Sequence, residues 1–155
     1  MAAVNDKFDV LRGWEPGGDA GIDQSLPPVK VGGIPVPLLP GYIVAVNSNT
    51  EVATASSPPS VALGTAATPL VYIVVEGNGV DTSPKFVEKV VCLRGKLTVK
   101  TDKLGPSQAF PVNGKVTYQG GLLVDQAATA TTHCIGTVLA NDLAADGTIT
   151  VELDI

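Results

Sequence analysis

Few side chains in this sequence have the chemistry to catalyse or to ligate. The candidates are His133, Cys134, Cys92 and the Asp142/Asp146 pair. A Cys or Ser nucleophile needs a base to activate it, and His133 is the one histidine in the chain. Cys134 adjoins it in a Val/Ile/Leu-rich stretch, where neighbours on a strand point to opposite faces, so the two cannot pair within one strand. A Cys92–His133 pair stays geometrically open beside a structural reading of the histidine. No G-x-S-x-G elbow is present. Zinc needs three or four N/S/O ligands at close spacing, and one His with two separated Cys leaves that set incomplete. Asp142 and Asp146 flank an Ala pair without an EF-hand pattern and read as loop solvation with a turn Asp. Gly77-Asn78-Gly79 looks like part of a nucleotide loop, but no helical pattern follows it and a β-turn accounts for it. The sequence therefore leads to an expectation of no catalytic residues, no cofactor and no metal, and of a protein that is not an enzyme.

Composition narrows the remaining classes. A chain of 155 residues suits one domain, or one domain plus an arm, and a chain of this length buries roughly 68–70% of its unfolded surface on folding. Ten Lys+Arg against 15 Asp+Glu leave a net charge of −5, which disfavours a nucleic-acid partner because covering phosphates needs a basic face. With 45% hydrophobic and 16% charged residues the chain is not of the disordered class. Cys92 and Cys134 are too few for a disulfide framework and read as small buried hydrophobes, with one bridge between them as the alternative. The N-terminal residues carry no basic region followed by an apolar stretch. No run reaches the ~18 apolar residues of a membrane helix. A soluble protein made in a cytoplasm, with no membrane partner, is the expectation.

Any functional residues must be positioned by two unlike parts, residues 1–40 and residues 41–155. Between Gly13 and Pro40 stand Pro16, Pro27, Pro28, Pro35, Pro37 and Pro40, with six glycines. Proline fixes φ and removes a donor, so this segment is neither helix nor central strand but an extended or looped arm. It is also apolar, with Phe8, Val10, Leu11, Trp14, Ile22, Leu26, Val29, Val31, Ile34, Val36, Leu38 and Leu39 in or beside it. Those side chains must lie on something, either the protein's own domain or a partner.

From Gly41 the pattern is β. Tyr42–Val46 and Glu51–Ala55 read as a hairpin, Val71–Val75 as a strand, and Lys89–Leu93 and Lys96–Thr101 as two strands flanking Arg94-Gly95. Leu97 and Val99 alternate with Lys96, Thr98 and Lys100, the period of a half-buried strand. Asn113-Gly114 is the preferred dipeptide of a type I′ turn and leads into Lys115–Tyr118. Gly120-Gly121 leads into Leu122–Val124. Ile149, Val151, Leu153 and Ile155 alternate with polar residues, so a strand is expected to end the chain and dock in the core. Asn141–Ala145 suggests a single helical turn. Many short strands at close turn spacing predict an all-β small barrel or sandwich of short antiparallel strands, with an extended Pro/Gly-rich N-terminal arm.

Two resemblances bear on function. Ala20-Gly21-Ile22-Asp23 is similar to the Ala-Gly-X-Asp motif of trimeric dUTPases, which are also all-β. The Ser-bearing phosphate motif, Tyr-bearing uracil hairpin and Gly-rich C-terminal arm of that family are not found, so this reading ranks third. The other covers roughly Gly41 to Ile155. Gly41–Asn47 with Glu51–Ala55, Lys96–Thr101, Gly114–Thr117, and Ile135–Leu139 with Asp146–Leu153 resemble, in order and spacing, the strands of tailed-bacteriophage capsid cement (decoration) proteins.

This second resemblance implies a structural protein on the outer surface of the virion, present in the host cytoplasm during assembly. Its partners would be the major capsid protein and itself, as a homotrimer or alternatively a homodimer, and it would stabilise junctions between capsid subunits after the head expands. The alternative is another virion surface module, such as a head-fibre base or a carbohydrate-binding β-domain. The expected partner-contact residues are Phe8, Leu11 and Trp14 in the arm. Trp14 is the one tryptophan in the chain, and Trp is enriched among interface hot spots. Folding back of Trp14 onto its own barrel is the competing reading.

Overall fold

The structure, a computed structural model, describes residues 7–12, 21–46, 51–56, 71–77, 79–80, 83–84, 89–129 and 133–155. The protein is nearly all β, with a curled antiparallel sheet that forms a half-barrel. The first 40 residues contribute β1 (Asp9–Arg12), β2 (Gly21–Leu26) and the small hairpin β3 (Lys30–Val31) and β4 (Ile34–Pro35). Next come β5 (Ile43–Val46), β6 (Val52–Thr54), β7 (Val71–Glu76) and the short pair β8 (Gly79–Val80) and β9 (Ser83–Pro84). The second half holds β10 (Val90–Thr101), β11 (Lys115–Gln119), β12 (Leu122–Asp125), β13 (Gly136–Asp142) and β14 (Thr148–Asp154). A one-turn helix, α1 (Leu143–Asp146), joins the last two strands. Strand order in the main sheet is β12-β11-β13-β14-β10-β7-β5-β6, with β1 and β2 also paired to β10.

Strand β10 organises the sheet. The sequence suggests two strands around Arg94-Gly95, yet β10 runs unbroken for 12 residues. Gly95 makes this possible by adopting φ +125°, a backbone state that residues with a Cβ rarely enter. Its N–H and C=O exchange bonds with Ile155 at 2.9 and 3.2 Å, so the chain terminus docks against this point. The N-terminal half of β10 pairs with β2 and β7, and the C-terminal half with β1 and β14.

Around β5, β7 and the first half of β10 both faces of the sheet are apolar. Inside the curl, Ile43, Ile73, Leu93, Leu97, Val99, Phe110, Val116, Leu123, Ile149, Val151 and Leu153 form the main core. Their neighbours on the opposite face, Val44, Val52, Tyr72, Val74, Val90 and Cys92, form a second cluster. The continuous apolar run of β7 reflects this burial on both faces. The arm supplies the outer cover. Leu38 is fully buried in the second cluster, and Leu26 and Val36 pack against it. Residues 27–29 also run beside β6, where Val29 N–H donates to the Val52 carbonyl and Val52 N–H donates to that of Pro27, both at 2.9 Å. Thus the second half of the proline-rich segment lies on its own domain.

The curl is fastened where its ends meet. Gly120 and Gly121, at φ +58° and +83°, make the two-residue turn between β11 and β12, the type I′ geometry that matches strand twist. Gly121 N–H donates to the Ala55 carbonyl at 2.9 Å, and its carbonyl accepts from Ile43 N–H at 2.8 Å. The β12 end of the sheet is thereby tied to the β5–β6 end. Asn113-Gly114, by contrast, is not a type I′ hairpin. Gly114 N–H closes a turn on the Pro111 carbonyl at 2.8 Å, and of its two central residues, Val112 and Asn113, only Asn113 has positive φ, +67°. That is the pattern of a type II turn.

A Cβ on Gly120 would meet open space, whereas one on Gly121 would come within 2.8 Å of Thr54 Cγ2 and 2.9 Å of its Cβ. Gly120→Ala is expected to cost about 1–2 kcal/mol from the left-handed backbone alone. Gly121→Ala should cost roughly 1–3 kcal/mol more by forcing the closure apart. Equilibrium denaturation of the two variants side by side tests this, and equal losses would refute the fastening role of Gly121.

Candidate interaction surface

The chemistry-bearing residues do not converge. Cys92 is buried in the outer cluster with Leu38 and Val90. His133 meets the ring of Tyr118, a member of the inner core, edge-on at 6.3 Å between centroids. The thiol thus lies in the outer cluster, while the half-buried imidazole lies against a ring of the inner one. His133 and Cys134 precede β13 instead of lying on a strand. Cys134 is exposed, against the expectation of a buried hydrophobe, and its Sγ bonds to the Gly136 carbonyl at 3.2 Å. Cys92 is buried as expected, and the two are not bridged. Among the described residues no group of three or more His, Cys, Asp or Glu is placed to hold a metal ion.

Tyr118 is a feature that the sequence did not single out. It is one of the largest fully buried side chains, and its hydroxyl has no hydrogen-bond partner among the described residues. Burial pushes its phenol above the ordinary value by penalising the phenolate.

Asp142 and Asp146 bracket α1, and Asp146 has a structural task. Its Oδ1 accepts from the backbone N–H of Thr148 at 3.1 Å and from the Thr148 hydroxyl. Its Oδ2 lies 3.0 Å from Lys100 Nζ on β10, and its backbone carbonyl accepts from Lys7 Nζ. The Thr148 hydroxyl first, and then Lys100, hold the carboxyl down at about 2. The same carboxylate raises the Lys100 ammonium. The cluster thus links Lys7, two residues before β1, with β10 and the start of β14.

The surface itself shows a different kind of signal. Among the described residues the exposed large apolar side chains are Leu11, Val31, Ile34, Val112 and Leu139. Three of the five belong to the first 40 residues, so the arm both covers the domain and displays apolar groups outward. On β1, Val10 packs toward the inner core while Leu11 faces away, 49% exposed. Phe8 is half-buried against the inner core. A Cβ on Gly41 would come within 3.0 Å of Phe8 Cδ2, which places the ring over that glycine. Trp14, the third candidate contact, lies outside the described residues.

Set beside protein-family models, curated proteins and solved structures, the chain matches none of them.

Val31 and Ile34 sit on either side of Gly32-Gly33 and are cross-strand partners. Val31 is the most exposed of the five, at 69%. Their signal was present in the sequence as a Gly-Gly pair between apolar residues, the mark of a two-residue hairpin. Leu139 carried no such signal, because it is turned outward by an irregularity between Val138 and Ala140 in an unbroken apolar stretch.

Two outcomes separate anchoring from display. Phe8→Ala should destabilise the fold by about 1–3 kcal/mol, less than a fully buried Phe because the ring is only half-covered. Leu11→Asp should stay within about 0.5 kcal/mol of wild type. Thermal melts of both variants check this.

Asp146 gives a pH signature. Because its folded pKa of about 2 lies below the ordinary carboxylate value of 3.8, its contribution is complete above about pH 4 and disappears as pH falls toward 2. Wild type should therefore be more stable than Asp146→Asn at pH 5, with the gap closing by pH 2. The Lys100 pair is about a third exposed, so raised salt should narrow the gap too. Denaturation midpoints across that pH range provide the measurement.

Proposed function

We propose that this protein is a capsid decoration, or cement, protein that binds the outside of a tailed-phage head and stabilises the junctions between major capsid subunits. The observation that carries this reading is the division of labour in the first 40 residues. Phe8, Val36 and Leu38 pin the segment to a fastened β body, while Leu11, Val31 and Ile34 are turned away from it. An apolar side chain held outward on a pinned backbone contributes little to folding and keeps its burial free energy for a partner that covers it. The order of strands from Gly41 to Ile155, which resembles the cement-protein pattern, adds support and names the surface that would do the covering.

The mechanism is interface physics without bond-making. Packed DNA pushes a head outward, and the joints between subunits are where it yields. A rigid plug that buries area on both sides of a joint raises the cost of opening it. At ~25 cal/mol per Å² of apolar surface, a few docked side chains contribute several kcal/mol before association costs are subtracted. Repetition over the lattice multiplies that modest contact, because opening one joint strains many plugs. A net charge of −5 keeps the plug clear of free nucleic acid during assembly. As a homotrimer, or alternatively a homodimer, it would match a local symmetry axis of the shell.

Purified protein mixed with expanded, undecorated heads of the phage that encodes it should co-sediment with them to a fixed saturation level. Decorated heads should release DNA at a higher temperature than bare ones. Heads that neither retain the protein nor gain heat resistance would refute the reading.

A further inference from the structure

We propose that the hairpin Lys30–Pro35 is the seating element of the interaction surface, a preformed apolar knob for a crevice in the capsid that is apolar inside and acidic at its rim. This inference rests on the decoration reading and adds to it the part of the molecule that docks and the chemistry of its partner.

Four observations carry it. Val31 and Ile34 face each other across the hairpin and are 69% and 52% exposed, so the tip offers one continuous apolar surface. Between them Gly32 and Gly33, at φ +59° and +80°, form a turn around which a Cβ would meet nothing within 4 Å, so the tip stands clear of the domain.

The base of the knob is held. Val36 N–H donates to the Val29 carbonyl at 2.9 Å, Val29 is bonded to Val52 on β6, and Pro28 and Pro35 are buried. Leu38, three residues beyond the hairpin, is fully buried in the outer cluster. A tip presented on a base this constrained loses little conformational freedom when it docks, which is where preorganised elements gain affinity.

The charge is the fourth observation. Lys30 is exposed, and it is the single charged residue between Asp23 and Glu51 in a chain whose net charge is −5. The hairpin itself therefore carries one positive charge and no negative one, on a protein that is acidic as a whole. A partner that complements it has an apolar floor for Val31 and Ile34 and a carboxylate within reach of Lys30.

The test compares wild type, Val31→Asp/Ile34→Asp, Val31→Thr/Ile34→Thr and Lys30→Glu for binding to expanded heads of the encoding phage, at low and raised salt. The altered side chains are exposed, so all variants should keep the wild-type circular dichroism and Tm. The threonine pair preserves β-branching if the aspartates disturb the hairpin. The aspartate pair should weaken attachment on the order of 100-fold or more, since burying each side chain is worth on the order of 10- to 100-fold. The threonine pair should show a smaller loss in the same direction. Lys30→Glu should weaken attachment at low salt, with the deficit shrinking as salt rises.

Wild type that binds while both pairs bind equally well would overturn the knob and leave the decoration reading standing. Wild type that fails to bind would overturn both. A wild-type oligomer that the aspartate pair converts to monomer would assign the tip to a second copy of this chain and overturn the capsid seat. Equal binding by Lys30→Glu at all salt concentrations would overturn the acidic rim.

Discussion

Strands β5, β7 and the first half of β10 are apolar on both faces, and a sheet with two apolar faces must be covered twice. The curl covers the first face, because bending the sheet on itself lets Leu123, Val116 and Ile149 meet Ile43, Ile73 and Leu93 in one core. Among the described residues the other sheets are only the two-stranded pairs β3–β4 and β8–β9. The cover is instead the extended segment before Pro40, with Leu38 seated deepest and Leu26 and Val36 beside it. The rest of the architecture follows from that choice. Beyond β2 this segment bonds to the sheet along the edge of β6, and prolines, with few donors and restricted φ, suit such a path.

The same choice shapes the surface. A proline-rich cover is not a strand layer with its own alternation, so its side chains need not all point inward. Where it makes its one small hairpin, the chain leaves the domain, turns at Gly32-Gly33 and returns, and the apolar pair at the tip has no core to enter. β1 shows the ordinary strand version of this behaviour, with Val10 inward and Leu11 outward. Covering a second apolar face and displaying an apolar projection are thus two consequences of one segment, and the fastened body beneath gives that projection a fixed position.

Much of this was legible in the residues. The alternation of Ile149, Val151 and Leu153 against Thr150, Glu152 and Asp154 mapped directly onto β14, because one face of that strand is core and the other is water. The Tyr42–Val46 and Glu51–Ala55 hairpin was equally plain, and β5 pairs β6 in that register. The break placed at Arg94-Gly95 did not materialise, since glycine as a turn signal and glycine as a strand residue at positive φ look alike until the partner strands are known. Asn113-Gly114 misled for a related reason. A dipeptide favours a turn but does not supply the strand before it, and residues 105–114 contain none. The exposure of Cys134 was illegible because residue type reports average burial, while its position depends on where β13 begins.

The candidate surface was half legible. The apolar excess of the arm demanded a covering surface, and composition alone could not say whether that surface was internal or external. The structure divides the answer by residue. Phe8 lies over Gly41 and packs on the core, so it belongs to the fold, whereas Leu11 projects from the same strand region into solvent. The physical distinction is direction along a strand, which reverses with every residue. A list of apolar residues in an arm therefore overstates its contacts, and the side chains that matter for a partner are those that the fold holds in place and leaves uncovered. By that criterion the hairpin tip outranks Phe8. Its backbone is fixed by bonds to β6 and by buried prolines, and its side chains stay in water, so their burial free energy is not spent on the fold.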